Sequence, residues 1–386
     1  MIKVGIVGAT GVVGRKVLEV LEEKKLPVDE YELFASKKSA GKTMNFLGKD
    51  YRVHELNEEE IKKAKLTFAI FSAGTDVAKK FAPIVAETGA IVIDNSNAFR
   101  MNPSVPLVVP EVNPEEIYNN HGIIANPNCS TIQAVVALKP LDDKYKIKRV
   151  VYTTFQAVSG AGRDGIDDLK NGIKTYYEEE YKNCENNESI ERENAHKKND
   201  NNLEKCKMNL KKFEYPIFNN CLPHIDIFMD NDYTREETKM INETRKILKN
   251  DKLKITATCV RVPVFNSHSE SINVEFENTF KIDDVKETLK NANGVIIVDN
   301  INNTENNFDL NTSYNNNFKS LMYPISTFAT GTDNVYVGRI RRDYSVNNGL
   351  NIWVVADNIR KGAASNAVQI LEILLKNKKK WFIWLK

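Results

Sequence analysis

Cys129 is the residue of this sequence best placed to act as a nucleophile. It lies in the run NPNCST (126–131), after an apolar segment at 122–125 and before a helical pattern at 132–141. A thiol in a turn at a helix N-terminus faces unpaired backbone N–H groups and the positive end of the helix dipole, which favour the thiolate. The alternative is a small buried thiol without chemical function.

A glycine-rich turn near the amino terminus is the second chemical feature. The sequence GATGVVG (8–14) follows a β-branched run at 2–7 and precedes Val17, Leu18 and Leu21 at helical spacing. Glycines in a strand–turn–helix unit let the backbone approach a pyrophosphate, whose charge the helix N-terminus stabilises. The pattern predicts dinucleotide binding at Gly8, Thr10, Gly11, Val12, Val13 and Gly14.

The second strand indicates which dinucleotide binds. Folds that bind NAD hold the ribose 2′-hydroxyl with an acidic residue about 20 residues beyond the glycines. Here the strand at 31–35 ends in SKKS, with hydroxyls and cations but no carboxylate. A 2′-phosphate fits better, so we expect NADP rather than NAD, held by Ser36, Lys38, Ser39 and Ala40. The alternative is that the lysines lie in a solvated turn.

These units belong to an α/β fold with two domains. Continuous apolar runs at 66–71 and 90–94 are typical of strands in a buried parallel sheet, which predicts a Rossmann-like doubly wound sheet at 1–130. A final helix, which the apolar spacing places at 362–375 within the segment 358–386, should complete that domain. From 131 to 357 the pattern indicates an α+β domain on a mixed sheet. Its predicted strands are 148–156, 254–262, 271–276, 335–340 and 350–356, and its predicted helices 234–249 and 282–291.

Two stretches rich in Asn, Glu and Lys interrupt the second domain, near 182–210 and 299–317. They carry too little apolar surface to form a core, so we expect surface insertions. The tail at 378–384 contains KKKWFIW, which is too short to span a bilayer and supports no assignment.

Composition excludes several classes of partner. A net charge of +2, with 27% charged residues, gives no reason to expect binding to nucleic acid or to a membrane. No apolar segment resembles a signal peptide or membrane span, so we expect a cytoplasmic protein. The cysteines are odd in number and lack ligand spacing, which argues against disulfides and a metal site. They are Cys129, Cys184, Cys206, Cys221 and Cys259.

Several runs, in the same order from residue 2 to about 375, closely resemble aspartate-β-semialdehyde dehydrogenases. They are VGATG (7–11), SKKSAG (36–41), DNSNAFR (94–100), PLVVPEVN (106–113), NPNCSTIQ (126–133), QAVSGAG (156–162), TCVRVP (258–263), HSES (268–271) and VGRIR (337–341). The resemblance implies an NADP-dependent enzyme whose second domain is catalytic and carries most of the dimer contact. We expect a homodimer, with a homotetramer as the alternative.

The resemblance also implies a reaction, namely reversible reductive dephosphorylation of L-aspartyl 4-phosphate to L-aspartate 4-semialdehyde and phosphate. This step leads to lysine, through diaminopimelate, and to threonine and methionine. An aldehyde gives up hydride readily only after a thiolate has added to it, and Cys129 fits that task through an acyl-thioester. His268 matches the base. Gln156 matches the glutamine that orients the reacting centre.

Other site residues are carried over in the same way. Arg261 matches the arginine that clamps the substrate α-carboxylate through a bidentate contact. The remaining matched positions are Arg100, Asn128 and Lys212 (of the pair 211–212) for substrate or phosphate, and Ser159 and Gly160 for the cofactor. Two departures from the family pattern are Ser365, where tryptophan is expected, and Phe328 near the nicotinamide segment.

Two other functions compete with this interpretation. A sister acyl-phosphate reductase, such as N-acetyl-γ-glutamyl-phosphate reductase, shares the Rossmann domain, cysteine and histidine, but its N-acetylated substrate poses a different recognition problem from the one Arg261 solves. A non-catalytic NADP sensor would require a spoiled active site, whereas every key catalytic position is filled here.

Overall fold

The computed structural model describes residues 1–185, 210–301 and 321–376, and side chains of the helix that ends at Glu185 as far as Glu178. The interiors of both predicted insertions, and the tail at 378–384, lie outside these residues. The edges of the insertions differ from expectation. The helix continues past residue 182 to Glu185. The Asp299 side chain is buried and pairs with Lys286 at 2.8 Å, so the ordered fold extends beyond the predicted start at 299.

The first sheet is doubly wound and parallel, as predicted. Its order is β3-β4-β2-β1-β5-β6-β7, and only β3 runs antiparallel to its neighbour. The strands are β1 (Lys3–Val7), β2 (Glu30–Ala35), β3 (Thr43–Phe46), β4 (Lys49–Glu55), β5 (Phe68–Phe71), β6 (Ile91–Asp94) and β7 (Ile123–Ala125). The sequence analysis missed the β3–β4 hairpin because most of its residues are exposed and polar, so no apolar run marks it.

Helices cover both faces of this sheet. Helix α1 (Val12–Lys24) and the last helix, α9 (Asn366–Lys376), share a core with β1, whereas α2 (Glu58–Ala64) and α3 (Thr75–Glu87) pack on the other face. The expected packing of the final helix on the first sheet is thus confirmed. Its predicted first turn is wrong, because the chain forms a π-helix at Arg360–Ser365 before α9 begins.

The second sheet is mixed, in the order β11-β12-β13-β10-β8-β9. Its strands are β8 (Ile147–Gln156), β9 (Lys254–Arg261), β10 (His268–Phe276), β11 (Val295–Ile297), β12 (Val335–Asp343) and β13 (Gly349–Ala356). The helices that share its core are α4 (Cys129–Tyr145), α6 (Arg235–Ile247) and α7 (Ile282–Lys290). The α+β prediction is confirmed, but β10 starts at His268, three residues before the predicted strand.

The remaining elements are short, apart from α5 (Gly162–Glu185). Helix α8 spans Ser326–Ala329, and 3₁₀ turns occupy Pro114–Asn119 and Val158–Ala161. Among the described residues, no helix has the length and apolar character that a membrane crossing requires.

Strand register gathers three predicted site residues at one end of the second sheet. Gln156 is the Cα partner of Arg261 in the parallel β8–β9 pair. His268 begins the neighbouring strand β10, where Ser269 pairs with Phe155. Cys129, the first residue of α4, lies near the same end, because its neighbour Asn128 and Gln156 both hydrogen-bond to Glu236.

Candidate active site

Cys129 is the first residue of α4, and Asn128 is its N-cap. The Asn128 side-chain oxygen accepts hydrogen bonds from the N–H groups of Ser130 (3.0 Å) and Thr131 (3.3 Å). This cap fixes the turn in which the thiol lies, because it satisfies donors that the helix leaves unpaired. The predicted placement of Cys129 at a helix entrance is therefore confirmed, and its side chain is half-buried.

The thiol does not carry the lowered pKa that a helix N-terminus alone would give. Burial, followed by the nearby charge of Glu236, raises the pKa of Cys129 above its ordinary value. The charges of Arg261 and Arg100 and the N–H of Ser130 oppose this rise. Desolvation therefore outweighs the favourable charges and the backbone hydrogen bond at this position.

Glu236, on the first turn of α6, links Asn128, Gln156 and Lys239 into one cluster beside Cys129. Local sequence pattern did not identify it. One carboxylate oxygen accepts from the Asn128 amide (2.8 Å) and the Gln156 amide (3.1 Å). Desolvation would raise its pKa, but the charge of Lys239 and these hydrogen bonds outweigh it, so the pKa lies below its ordinary value. Glu236 therefore presents a buried negative charge between the nucleophile turn and the end of β8.

Lys239 is the lysine that contacts Glu236, whereas Lys212 lies elsewhere. The Lys239 ammonium contacts the second oxygen of Glu236 (3.1 Å) and Asp226 (2.8 Å). Lys212 is exposed, and its backbone N–H donates to Asp168 on α5. Among the described residues, no hydrogen bond or ion pair joins the Lys212 side chain to the cluster. A lysine three residues after Glu236 on one helix face is the signal that could have found Lys239.

Arg100 lies behind the nucleophile turn in a buried network. It donates to the carbonyl oxygens of Asn126 (2.9 Å) and Asn95 (2.9 Å), and pairs with Glu243 at 3.1 Å. The other oxygen of Glu243 accepts from the Asn128 N–H at 2.6 Å. Arg100 therefore stabilises the turn that carries Cys129, and it also places a positive charge beside the thiol.

Arg261 ends β9 with a nearly buried guanidinium. Its Nη1 donates to the Ala157 carbonyl at 2.7 Å. Within the part of the chain that the structure describes, its Nε and Nη2 donate to no other group. These two donors can bind the oxygens of a carboxylate, which is the role predicted for Arg261.

Two glycines make room for the reacting groups. A Cβ atom on Gly160 would lie 3.0 Å from Arg261 Nη1 and 3.1 Å from His268 Nε2. A Cβ atom on Gly362, in the π-helix, would lie 2.8 Å from Cys129 Cβ. Gly160, predicted to contact cofactor, therefore borders the catalytic side chains, and Gly362 is a site residue that the sequence analysis missed. Inserted π turns often occur at functional sites, and this one brings Gly362 against the nucleophile.

The residues around β1 fit a dinucleotide. Gly8 has a φ of +85°, and a Cβ there would lie 2.6 Å from the Ser72 carbonyl oxygen. A Cβ on Gly14 would lie 2.1 Å from the Gly8 carbonyl oxygen, so both positions need glycine for the close approach of backbone segments. Helix α1 has no acidic residue in its first turn, which leaves its N-terminus free for a phosphate.

The predicted 2′-phosphate loop follows β2. Ser36 and Lys38 are exposed, and the N–H groups of Ser39 and Ala40 close a turn onto the Ser36 carbonyl. The Ser159 hydroxyl, the other predicted cofactor contact, hydrogen-bonds to Asn358 instead of facing solvent. The loop after β2 therefore carries cations and no acidic residue. An acidic residue at this position would repel a phosphate.

Glu270 lies two residues beyond His268 with no hydrogen bond to either carboxyl oxygen among the described residues. Burial raises its pKa well above the ordinary value. The unfolded carboxyl ionises at lower pH than the folded one. Stability should therefore fall as pH rises above the unfolded pKa of about 4.3 towards the folded one.

Glu270→Gln should remove this pH dependence. We expect the variant to melt about 2–4 °C above the parent near pH 8 and to lose that advantage below the unfolded pKa of about 4.3, since an amide does not ionise. Differential scanning calorimetry across this range measures the effect. The matched control is Glu275→Gln, on the same strand, whose carboxylate pairs with Lys148. A constant difference at all pH values would show that Glu270 does not titrate as described.

Comparison with known proteins agrees with this architecture. Residues 3–120 match the family model described as "Semialdehyde dehydrogenase, NAD binding domain". Residues 138–361 match "Semialdehyde dehydrogenase, dimerisation domain". The first match contains β1 to β6, and the second contains all six strands of the second sheet.

Individual relatives cover nearly the whole chain. The aspartate-semialdehyde dehydrogenase of Aquifex aeolicus is 50% identical over 376 residues, 97% of this chain and 98% of that protein. The Campylobacter jejuni protein of the same name is 43% identical over 380 residues, with the same coverage. A crystal structure of aspartate semialdehyde dehydrogenase II from Vibrio cholerae, complexed with ASA, superposes with a TM-score of 0.81 at 42% identity, covering 98% of this chain and 99% of that one. This chain belongs to the aspartate-semialdehyde dehydrogenase family.

Proposed function

We propose that this protein is an NADP-dependent aspartate-semialdehyde dehydrogenase. It reductively dephosphorylates L-aspartyl 4-phosphate to L-aspartate 4-semialdehyde in the biosynthesis of lysine, through diaminopimelate, and of threonine and methionine. The observation that carries the proposal is the position of Cys129 at the start of α4, beside Glu236 and Arg261 at the end of the second sheet.

The charges around Cys129 complement this substrate. The free donors of Arg261 suit the α-carboxylate, and the Glu236 carboxylate suits the α-ammonium. Lys239 and Arg100 supply positive charge for the phosphate, and we favour Lys239 over Lys212 because Lys239 contacts Glu236 directly. A zwitterionic acyl phosphate would thus have each of its charges opposed.

The cysteine divides the reaction into two steps. Its sulfur forms a C–S bond to the acyl carbon while the bond from that carbon to the phosphate oxygen breaks. The thiol proton leaves with the phosphate as hydrogen phosphate, and a thioester remains on Cys129. A bound nicotinamide cofactor supplies the hydride. The C–S bond then breaks, the aldehyde leaves, and the Cys129 sulfur takes up a proton from solvent to regenerate the thiol. Asn128 and Gln156 both hydrogen-bond to Glu236, which fixes the orientation of the thiol relative to the reacting carbon.

Cofactor choice follows from the loop after β2. NADP should be used with a higher kcat/KM than NAD, and Lys38→Ala should raise the KM for NADP about tenfold while leaving that for NAD unchanged. Lys42→Ala, in the same exposed segment, is the matched control. Steady-state rates of the wild type and both variants, with NADP and with NAD, give these KM and kcat/KM values. Equal use of NAD, or equal effects of the two variants, would contradict the assignment.

We also propose a cytoplasmic homodimer, with a homotetramer as the alternative. The match of residues 138–361 to a dimerisation domain supports self-association through the second domain.

The substrate test compares two aldehydes. With NADP and phosphate, aspartate semialdehyde should be oxidised rapidly, and N-acetylglutamate semialdehyde slowly or not at all, because an N-acetyl group removes the positive charge that Glu236 opposes. Faster turnover of the N-acetylated aldehyde would instead support the sister acyl-phosphate reductase.

A further inference from the structure

We propose that Lys361 is a positioning residue for Cys129. Its buried ammonium holds the π-helix against the turn that carries the nucleophile, and it does so through Glu111 and Asn366. This inference rests on the proposed function, which makes Cys129 the nucleophile.

The Lys361 side chain has no exposed surface, and its ammonium has an acceptor for each of its three donors. It pairs with Glu111 at 2.7 Å and donates to the side-chain oxygens of Gln369 (2.9 Å) and Asn366 (3.3 Å). Gln369 in turn donates from its amide nitrogen to the other oxygen of Glu111 at 2.9 Å. Because this buried charge has a complete set of partners, the ammonium is fixed relative to the loop that carries Glu111.

Asn366 extends this contact to the nucleophile turn. Its side-chain oxygen accepts from Lys361, so its amide nitrogen faces the opposite way. That nitrogen donates to the side-chain oxygen of Asn126 at 2.7 Å. Asn126 lies three residues before Cys129, and its backbone carbonyl accepts from Arg100. Lys361, acting through Asn366, and Arg100 therefore restrain the same residue of the turn.

Lys361 also adjoins Gly362, the residue that packs against Cys129. In the π-helix the Gly362 N–H donates to the Asp357 carbonyl, five residues back, at 2.9 Å. Such wide turns are rare, so we attribute this one to the side-chain contacts around it. With Lys361 fixed, the backbone of Gly362 lies where a Cβ atom would be 2.8 Å from Cys129 Cβ. The lysine thus acts on the nucleophile through two neighbours, Asn126 and Gly362.

The close packing of Gly362 helps to bury the Cys129 thiol, and burial is the main reason that the pKa of this thiol is raised. If the π-helix shifts, water reaches the sulfur, and its pKa should fall towards the ordinary value. The charges that act on the thiol, those of Glu236, Arg261 and Arg100, are unchanged by the loss of Lys361. The thiol should then react faster with a small alkylating agent but lose its alignment with the substrate. A misplacement of about 1 Å is enough to cost about 10²-fold in rate.

Lys361→Met tests this, because it removes the ammonium and keeps much of the side-chain volume. We expect iodoacetamide to label Cys129 at least about fivefold faster near pH 7.5, with the midpoint of the rate against pH moved to lower pH. We expect kcat for aspartate semialdehyde to fall at least about tenfold, with the KM for NADP within about twofold of the wild type. Mass spectrometry of digested protein follows the labelling, and the fully buried Cys259 should stay unlabelled. An unchanged labelling profile at Cys129 would overturn the proposal.

A double variant separates positioning from stability. Lys361→Met leaves the Glu111 carboxylate buried without its cation, which can unfold the protein. Lys361→Met/Glu111→Gln removes both charges and keeps an acceptor for Gln369, so its melting temperature should return towards that of the wild type. We expect fast labelling of Cys129, protection of Cys259 and the low kcat to persist in it. Wild-type labelling and turnover in the double variant, or labelling of Cys259 as fast as that of Cys129, would overturn the proposal, because the ion pair would then contribute only stability.

The matched control is Arg360→Gln, which removes the neighbouring cation of the π-helix. The Arg360 guanidinium pairs with Glu23 on α1 and, at 2.7 Å, with Asp333 before β12. This variant should lower the melting temperature without changing the labelling of Cys129. Equal acceleration in both variants would overturn the specific role of Lys361. Labelling needs no substrate, so a failure of the proposed function would show separately, as no semialdehyde turnover by the wild type.

Discussion

Cys129→Ala should abolish oxidation of aspartate semialdehyde, with kcat falling at least about 10⁴-fold, because no other group can form the covalent intermediate. NADP binding should persist, since the glycine turn lies on β1 and α1 and does not depend on the thiol. A coupled absorbance assay and a fluorescence titration with NADPH measure the two properties separately.

The control for this variant is Cys221→Ala, which removes an exposed thiol and should leave kcat unchanged. Circular dichroism of both variants checks that the fold survives. Turnover by Cys129→Ala within tenfold of the wild type would require a different nucleophile, and loss of NADP binding would indicate a damaged fold.

Arg261→Lys should lower kcat/KM for aspartate semialdehyde about 10²–10³-fold, mainly through KM. The substrate carboxylate keeps its charge throughout the reaction, so its contact stabilises the ground state and the transition state alike. A lysine offers no planar fork, and it cannot also reproduce the 2.7 Å contact to the Ala157 carbonyl. Steady-state kinetics at saturating NADP and phosphate measure both parameters.

Arg52→Lys, on the exposed side of β4, is the matched control and should have wild-type kinetics. A KM for the semialdehyde that stays unchanged in Arg261→Lys would show that another group binds the carboxylate.

Local signals were sufficient for much of the fold and for the nucleophile. Continuous apolar runs marked β1, β5 and β6, because a parallel strand covered on both faces must be apolar throughout. Cys129 could be found because its helix entrance is encoded by adjacent residues, with Asn128 as the cap. The hairpin of β3 and β4 gave no such signal, because most of its residues are exposed and its place in the sheet depends on the pairing of β4 with β2.

The partners of Cys129 could not be predicted from local pattern. Glu236 reaches Asn128 across 108 positions of the chain, and Gly362 reaches Cys129 from the far end of the sequence. In a linear view Glu236 is one of several acids at a helix start, and only tertiary packing shows that it is buried. The same limit explains why Lys212 was named and Lys239 was not, and why the pKa of Cys129 was expected to be lowered although burial raises it.

The most direct test of the central claim is to look for the acyl group on Cys129. Mixing wild-type enzyme with aspartate semialdehyde and NADP, without phosphate, should produce a burst of NADPH of about one equivalent per site, because the thioester forms but has no acceptor for its acyl group. Rapid acid quenching, digestion and mass spectrometry should then find an aspartyl adduct on the peptide that contains Cys129, and added phosphate should discharge it. A slow linear rise without a burst, or an adduct on another residue, would contradict the account.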